Sequence, residues 1–444
     1  MRRAEPVAVT GLGLLTPAGV GATANWARLL AGTSTAAADP LLAGLPVGFS
    51  CAVPGFEGDA AGPDGPADSD GPADAHGPAG LAGLAGPAGP DGFDAERVLG
   101  FRTARRTDRF IHLAVAAARQ AVADAALDPA DWDATRVGVV LGVAASSQQH
   151  LDEAFRRILD GRHGAVSPTM FPRSLPNMAA AEISLDLGAL GPVHTVAAAC
   201  ASGTDALGLA RHLLTAGDCD LVLAGGACAA RDPATVDGFH RMRVLSTRHH
   251  DPAGASRPFD ADRDGFVLGE GAAVLVLERA GHARARRAPV RAHLAGYAAA
   301  ADGHHPTTPH PDGDGLLRAT RAALAGAGLR PADIGLIHAH GTGTPLGDLA
   351  EARAIRRAYR DAPPVTAGKS VIGHTLGAAG AIQAAHAVLA LQHRTAPPTA
   401  NLDRLDPAID LDLVHRAPRP LPCRAVACHA SGFGGQNAVL LLTR

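Results

Sequence analysis

Residues 195–208 read T-V-A-A-A-C-A-S-G-T-D-A-L-G, and this stretch decides the fold. A short apolar run ends at Cys200, small residues follow at once, and an apolar-periodic segment continues to Leu214. The pattern predicts a strand, a tight turn and a buried helix, with a thiol at the helix entrance. There the sulfur faces unpaired backbone N–H groups and the positive end of the helix dipole, so the thiolate is expected to be favoured. Taken alone, Cys200 also reads as a buried structural cysteine, the commoner fate of a lone thiol.

Outward from that stretch, similar units recur. Buried strands are expected at Val7–Leu15, Val137–Gly142, Asp220–Gly226 and Ala272–Leu277. In the second half, Ile334–Ile337 leads to His338-Ala339-His340-Gly341. Val365–Ala367 leads to G-K-S-V-I-G-H and a small-residue helix over Leu376–Leu391. Ala425–Ala430 leads to S-G-F-G-G, and Ala438–Leu442 is the last strand. Strand, strand–Cys–helix, strand-G-G, strand is thus answered by strand-H-G, strand–His–helix, strand-G-F-G-G, strand. The correspondence predicts a duplicated α/β unit, with halves at 1–285 and 286–444 and loops that converge. Between the units, Arg102–Leu127 predicts one long helix with a basic start at Arg102, Arg105, Arg106 and Arg109. Residues 146–176 form a long polar excursion over a site. Residues 58–90 collapse to Gly, Pro, Asp and Ala and are expected to be a disordered insertion.

Composition removes several function classes. The chain has 444 residues, 47% of them hydrophobic, so it can bury a large core. A formal net charge of -3 gives no reason to expect a nucleic-acid partner. Six cysteines, at 51, 200, 219, 228, 423 and 428, show neither a C-x-x-C pair nor metal-ligand spacing. That is a reduced, cytoplasmic pattern with no metal site. Glycine and proline interrupt the N-terminal apolar run too early for a signal peptide, and no apolar run is long enough to span a bilayer. Lysine is almost absent, Lys369 being the single one. Converging loops would bring Lys369 together with Cys200, His340, His374 and Phe433. A cysteine with two histidines reads as acyl transfer through a thioester.

Four motifs carry a family resemblance: A-C-A-S-G at 199–203, H-G-T-G-T-P-L-G-D at 340–348, G-K-S-V-I-G-H at 368–374 and G-F-G-G at 432–435. With R-P-F-D-A-D-R-D-G-F-V-L-G-E-G from Arg257, they resemble the β-ketoacyl-[acyl-carrier-protein] synthases over nearly the whole chain outside 58–90. The resemblance implies a thiolase-like fold, two α/β halves in a five-layered αβαβα arrangement, usually dimeric. It implies a decarboxylative Claisen condensation, with substrates carried on the phosphopantetheine arm of an acyl carrier protein and no bound cofactor. Cys200 would be acylated, and the N–H groups of Cys200 and Phe433 would form an oxyanion hole. Neutral His340 and His374 would donate to the malonyl thioester oxygen. Lys369, paired with Glu351, would supply electrostatics and positioning. Thr342 and Thr344 would hold the pantetheine arm, and Phe433 would gate the pocket. Arg102, Arg105, Arg106 and Arg243 fall where the family docks its acidic carrier protein.

Ala145 stands where fatty-acid members tend to have a bulky aliphatic residue, which predicts a roomier acyl pocket, lined also by Phe239. L-D-E-A-F at 151–155 looks more like the iterative polyketide ketosynthases, whereas A-A-A-C-A-S-G and F-G-G-Q-N look closer to the fatty-acid type. The reading leans to a specialised-metabolite synthase, a homodimer or a heterodimer with a chain-length-factor-like subunit. Two alternatives stand beside it: a non-catalytic chain-length-factor subunit, and an acyltransferase that moves acyl groups without decarboxylation.

Overall fold

A computed structural model describes residues 6–55, 92–145, 149–359, 361, 363–422 and 424–444. The 58–90 insertion, Cys423 and the start of the 146–176 excursion lie outside the described residues. The backbone of the fold is an 11-stranded sheet, ten strands of which lie on one path. In chain order these are β1 (Val7–Thr16), β2 (Val137–Gly142), β3 (Val193–Val196), β4 (Leu221–Cys228) and β5 (Gly271–Arg279). Then come β6 (Ala292–Ala301), β7 (Leu336–His338), β8 (Val365–Thr366), β9 (Ala425–Gly432) and β10 (Gln436–Thr443).

The spatial order is β8-β7-β9-β10-β6-β1-β5-β4-β2-β3. Counted within each half, both read third, second, fourth, fifth, first. The directions repeat as well. The second strand runs parallel to the third and fourth, and the fifth is antiparallel to the fourth and first. Two first strands, β1 and β6, join the halves antiparallel through Val7–Val9. The duplication expected from punctuation is therefore a duplication of topology.

Helices sort into layers around this sheet. Outside the first half lie α1 (Arg109–Asp124) against β1, β4 and β5, and α2 (Met178–Leu187) against β2 and β3. Outside the second lie α4 (Asp314–Ala327) against β6, β9 and β10, and α5 (Pro345–Ala358) packed on α4. Between the halves lie α3 (Ser202–Ala216) and α7 (Ala379–His393), which touch each other and strands of both halves. The order α-β-α-β-α follows. Strand β5 shows the physical reason. Ala273, Leu275 and Leu277 face the central cluster with α3 and α7, while Ala272, Val274 and Val276 face the outer cluster with α1. A strand covered on both faces reads as a continuous apolar run, because alternate side chains point to opposite faces and both are buried.

The central helices cross at small residues. A Cβ on Gly203 of α3 would lie 2.8 Å from the backbone nitrogen of Ala381, and one on Gly380 of α7 would lie 2.6 Å from that of Thr204. Only glycine permits so close an approach.

One expectation is corrected. Arg102–Leu127 is not one helix. A short helix, Phe101–Arg106, stops at Thr107, and Asp108 caps α1 afresh by accepting from the N–H of Arg109. Within the 146–176 excursion Gln149–Leu159 is helical and ends with Phe155, Ile158 and Leu159 exposed. Among the described residues no helix is long and apolar enough to cross a membrane.

Candidate active site

The loops that meet are those following the third strand of each half. After β3, the turn 197–201 carries Cys200 into α3. Ser202 closes it, its Oγ accepting from the N–H of Ala198 at 2.9 Å and donating to the Ala199 carbonyl at 2.5 Å. Ala199 is held at φ 48°, a left-handed conformation that a residue with a Cβ adopts at a cost. The N–H groups of Cys200 and of Phe433 lie near enough to the Cys200 sulfur to favour its ionised form. This approach depends on Gly432, where a Cβ would lie 2.8 Å from the Ala198 carbonyl and 3.0 Å from the nitrogen of Cys200.

After β8, the equivalent turn carries Lys369, opening the one-turn helix α6 (Lys369–Ile372), and then His374. His374 is pinned through its backbone, its N–H donating to Val267 and its carbonyl accepting from Gly269. The charge- and glycine-rich segment from Arg257 is thus the splint for this histidine. Its Phe266 also sets an edge against the His374 ring at 5.3 Å. His340 follows β7, and its ring lies 5.4 Å from that of His374, nearly perpendicular to it.

Tautomers follow from neighbours. The N–H of Leu376 donates to Nδ1 of His374 at 3.3 Å, so a neutral ring carries its proton on Nε2. The Lys369 ammonium lies 3.5 Å from Nδ1 of His340 and makes the same assignment there. Burial, and then the charge of Lys369, hold both imidazoles well below the usual histidine range. Both rings are neutral Nε2–H donors at neutral pH.

Burial also governs the two nucleophilic side chains. Lys369 is pulled down to about 8 by desolvation, against the opposing field of Glu351. Cys200 remains partly exposed, yet desolvation pushes its thiol up to about 11, while the Lys369 charge and the two N–H groups pull the other way. The expected thiolate at rest is therefore corrected: the loss of water outweighs the Lys369 charge and the two N–H groups. Lys369 and Glu351 are also not directly paired. Glu351, on α5, accepts from the N–H groups of His340 at 2.7 Å and Gly341 at 2.8 Å, and Lys369 donates to the His340 carbonyl at 2.6 Å. The carboxylate is committed to the backbone, and the two charges meet through space.

Other predicted residues fall around this centre. Thr342 and Thr344 place their hydroxyl oxygens 3.0 Å apart at the mouth of α5. Phe433 lies 6.2 Å from Phe239, which lies 5.4 Å from Phe266, so an aromatic row links the G-F-G-G turn to His374. Ala145, Cys200 and Phe239 each pack against the central core. The basic residues divide. Arg102, Arg105 and Arg243 are exposed; Arg105 stacks its guanidinium on Phe101 at 4.7 Å, and Arg106 is bound to Glu182 at 3.0 Å. Arg109 is not part of any patch. It is buried in a bidentate pair with Glu270.

Sequence reading missed a layer behind the histidines. Asp348 accepts from the N–H groups of Phe259 and Gly343, and burial raises it to about 7. His338, His386, His429 and Gln383 are buried beneath the same loops. In sequence they sit in apolar, small-residue runs, and only their polarity inside a buried helix or strand could have drawn attention.

A partly exposed thiol under the charge of a buried lysine, which itself holds one of two neutral imidazole donors, defines a thioester acyl-transfer centre. The chain belongs to the β-ketoacyl synthase family. The family's N-terminal domain model matches residues 4–283 and its C-terminal domain model residues 291–403. It is similar to the 3-oxoacyl-[acyl-carrier-protein] synthase 2 of Vibrio cholerae, 35% identical over 99% of both chains. The protein of the same name from Synechocystis is 41% identical over 78% of this chain and 84% of that one. Among solved structures, the ishigamide ketosynthase/chain length factor superposes with a TM-score of 0.85 at 31% identity, covering 99% of each chain. A type II PKS ketosynthase bound to the hexaketide, in complex with its acyl-carrier protein, superposes at 0.82 and 28% identity over 99% of each chain.

Proposed function

We propose that the chain condenses an acyl thioester on Cys200 with a malonyl thioester, both delivered on the phosphopantetheine arm of an acyl carrier protein. The observation that carries this reading is the pair of neutral imidazoles, each presenting Nε2–H, their rings 5.4 Å apart, one of them held by the Lys369 whose charge acts on the thiol. In the first half-reaction the Cys200 sulfur attacks the acyl carbonyl and the carrier thiol leaves. The oxyanion sits on the N–H groups of Cys200 and Phe433. In the second, the bond from the malonyl methylene to its carboxylate breaks and carbon dioxide leaves. The electron pair passes toward the thioester oxygen, where His340 and His374 donate. The carbon then attacks the acyl-Cys200 carbonyl, and the thiolate departs.

Lys369 supplies positive charge and holds His340; Glu351 holds the same loop. Thr342 and Thr344 receive the pantetheine arm, Phe433 swings on its glycines, and Ala145 and Phe239 border the acyl chain. The exposed Arg102, Arg105 and Arg243 steer an acidic carrier protein. The edge strand β3 and the exposed Leu185, Leu190 and Val193 support association with a second subunit, a copy of this chain or a chain-length-factor-like partner.

Incubation with acyl- and malonyl-carrier protein, followed by intact mass, tests the reading. Acylation of Cys200 with release of carbon dioxide and a lengthened product is the expected result. Acylation without decarboxylation would favour the acyltransferase, and no acylation the non-catalytic subunit. Cys200→Gln should abolish elongation and leave malonyl decarboxylation measurable.

A further inference from the structure

The backbone of residues 338–341 leaves its strand just as it delivers His340 to the site. The N–H of Ala339 still reaches the Thr366 carbonyl of β8, but other polar groups of the turn must find partners elsewhere. The N–H groups of His340 and Gly341 go to Glu351, and the carbonyl of His340 goes to Lys369. The carbonyls of His338 and Ala339 remain, and both are taken by one side chain. Gln383 Nε2, from α7, donates to the His338 oxygen and, at 2.8 Å, to the Ala339 oxygen. The side chain is buried. Only the NH₂ end of an amide can face two carbonyls, so its orientation is fixed by chemistry. Three side chains from three elements thus satisfy five polar groups of this turn, and Gln383 closes the set.

We infer that Gln383 is a positioning residue for His340, tying the loop of the second half's histidine to the helix that packs on the nucleophile's helix. The mechanical path is short. Thr204, four residues after Cys200, abuts Gly380, and Gln383 is one helical turn beyond Gly380 on α7. Motion of α7 relative to α3 is therefore carried to His340 through two hydrogen bonds rather than through the sheet. The required precision is strict, since a displacement near 1 Å costs on the order of 10²-fold in rate. Gln383 touches no reacting atom and acts through the backbone alone.

The inference rests on the condensing role proposed above, and its test separates the two. In the full-length protein, Gln383→Met keeps the shape and removes both donated bonds. Amide exchange of the peptide spanning 338–343 should rise roughly tenfold, because the closed loop loses two restraints. Malonyl decarboxylation should fall about 10²-fold while acylation of Cys200, which does not use His340, stays within about threefold. Gln383→Glu is the conservative rescue. Its carboxyl can donate one bond when protonated, so its decarboxylation should exceed that of the Met variant and rise as pH falls. Unchanged exchange and decarboxylation in Gln383→Met would overturn the inference. So would a parallel loss of acylation and decarboxylation that tracks a lowered melting temperature, which marks a core filler. If the wild-type chain neither acylates nor decarboxylates, the functional reading fails, and the exchange measurement still decides the role of Gln383.

Discussion

The ammonium of Lys369 donates to the carbonyl oxygen of His340 at 2.6 Å and faces Nδ1 of the same residue at 3.5 Å. One cation therefore fixes both the loop and the tautomer of a histidine donor, and its field also favours the Cys200 thiolate. Lys369→Met should lower condensation by about 10²-fold or more. Because burial brings Lys369 to about 8, wild-type condensation should decline as pH rises past that value, and the Met variant should lack this limb. Rates of condensation between pH 6 and 10, on the order of one point per half unit, check both statements.

Glu351→Gln keeps the shape but presents an amide to two backbone N–H groups. Its oxygen can accept one, and its NH₂ then faces the other. The expected loss is about 1–3 kcal/mol of stability, read from urea unfolding, together with faster exchange at His340 and Gly341.

Four imidazoles, three buried and His340 half-buried, are held below the ordinary histidine value: His338, His340 and His374 well below it, and His386 at about 3. In each case desolvation is the leading cause. The folded pKa lies below the unfolded one, so the unfolded chain binds the proton first. Stability is complete above the unfolded value of about 6.5 and falls as pH drops below it, by up to about 1.4 kcal/mol per pH unit per group. Asp348 opposes this. Raised to about 7, it gains a proton in the folded state first and adds stability below that pH. Urea midpoints from pH 7.5 to 5 should fall steeply. His386→Phe, if it folds, should flatten the slope by about one group's share, whereas an unchanged slope would remove His386 from the set.

Gly203→Ala and Gly380→Ala each place a methyl group against backbone at the crossing of α3 and α7. Either should destabilise by about 1–3 kcal/mol, as overpacking does. Either should also separate Cys200 from His340, lowering elongation more than thiol alkylation. Thermal melts paired with an alkylation rate for Cys200 distinguish the two effects.

Much of this was legible in the sequence where local pattern and burial agree. Strands β1, β2, β4, β5, β9 and β10 read as apolar runs because both sheet faces are covered. β6 did not. Ala292–Ala301 is A-H-L-A-G-Y-A-A-A-A, a composition of good helix formers, and it is extended because β1 and β10 claim its two sides. At the site, Cys200, His340, His374 and Lys369 stood out because reactive groups beside small residues at strand ends are conspicuous. Gln383 was invisible because its role depends on which carbonyls the loop exposes, a fact of the folded backbone. The state of Cys200 was misjudged for a related reason: helix position can be read locally, whereas desolvation is set by everything packed around it.

The outermost strand of the first half, β3, has a ladder side that no described strand claims, and Val193 is 39% exposed. Four residues beyond its end stands the nucleophile. Any polypeptide that annealed there would grip the same short segment that aims the sulfur. Quaternary state would then be written into thiol reactivity, and a labelling rate at one cysteine would serve as a gauge of who stands beside the molecule.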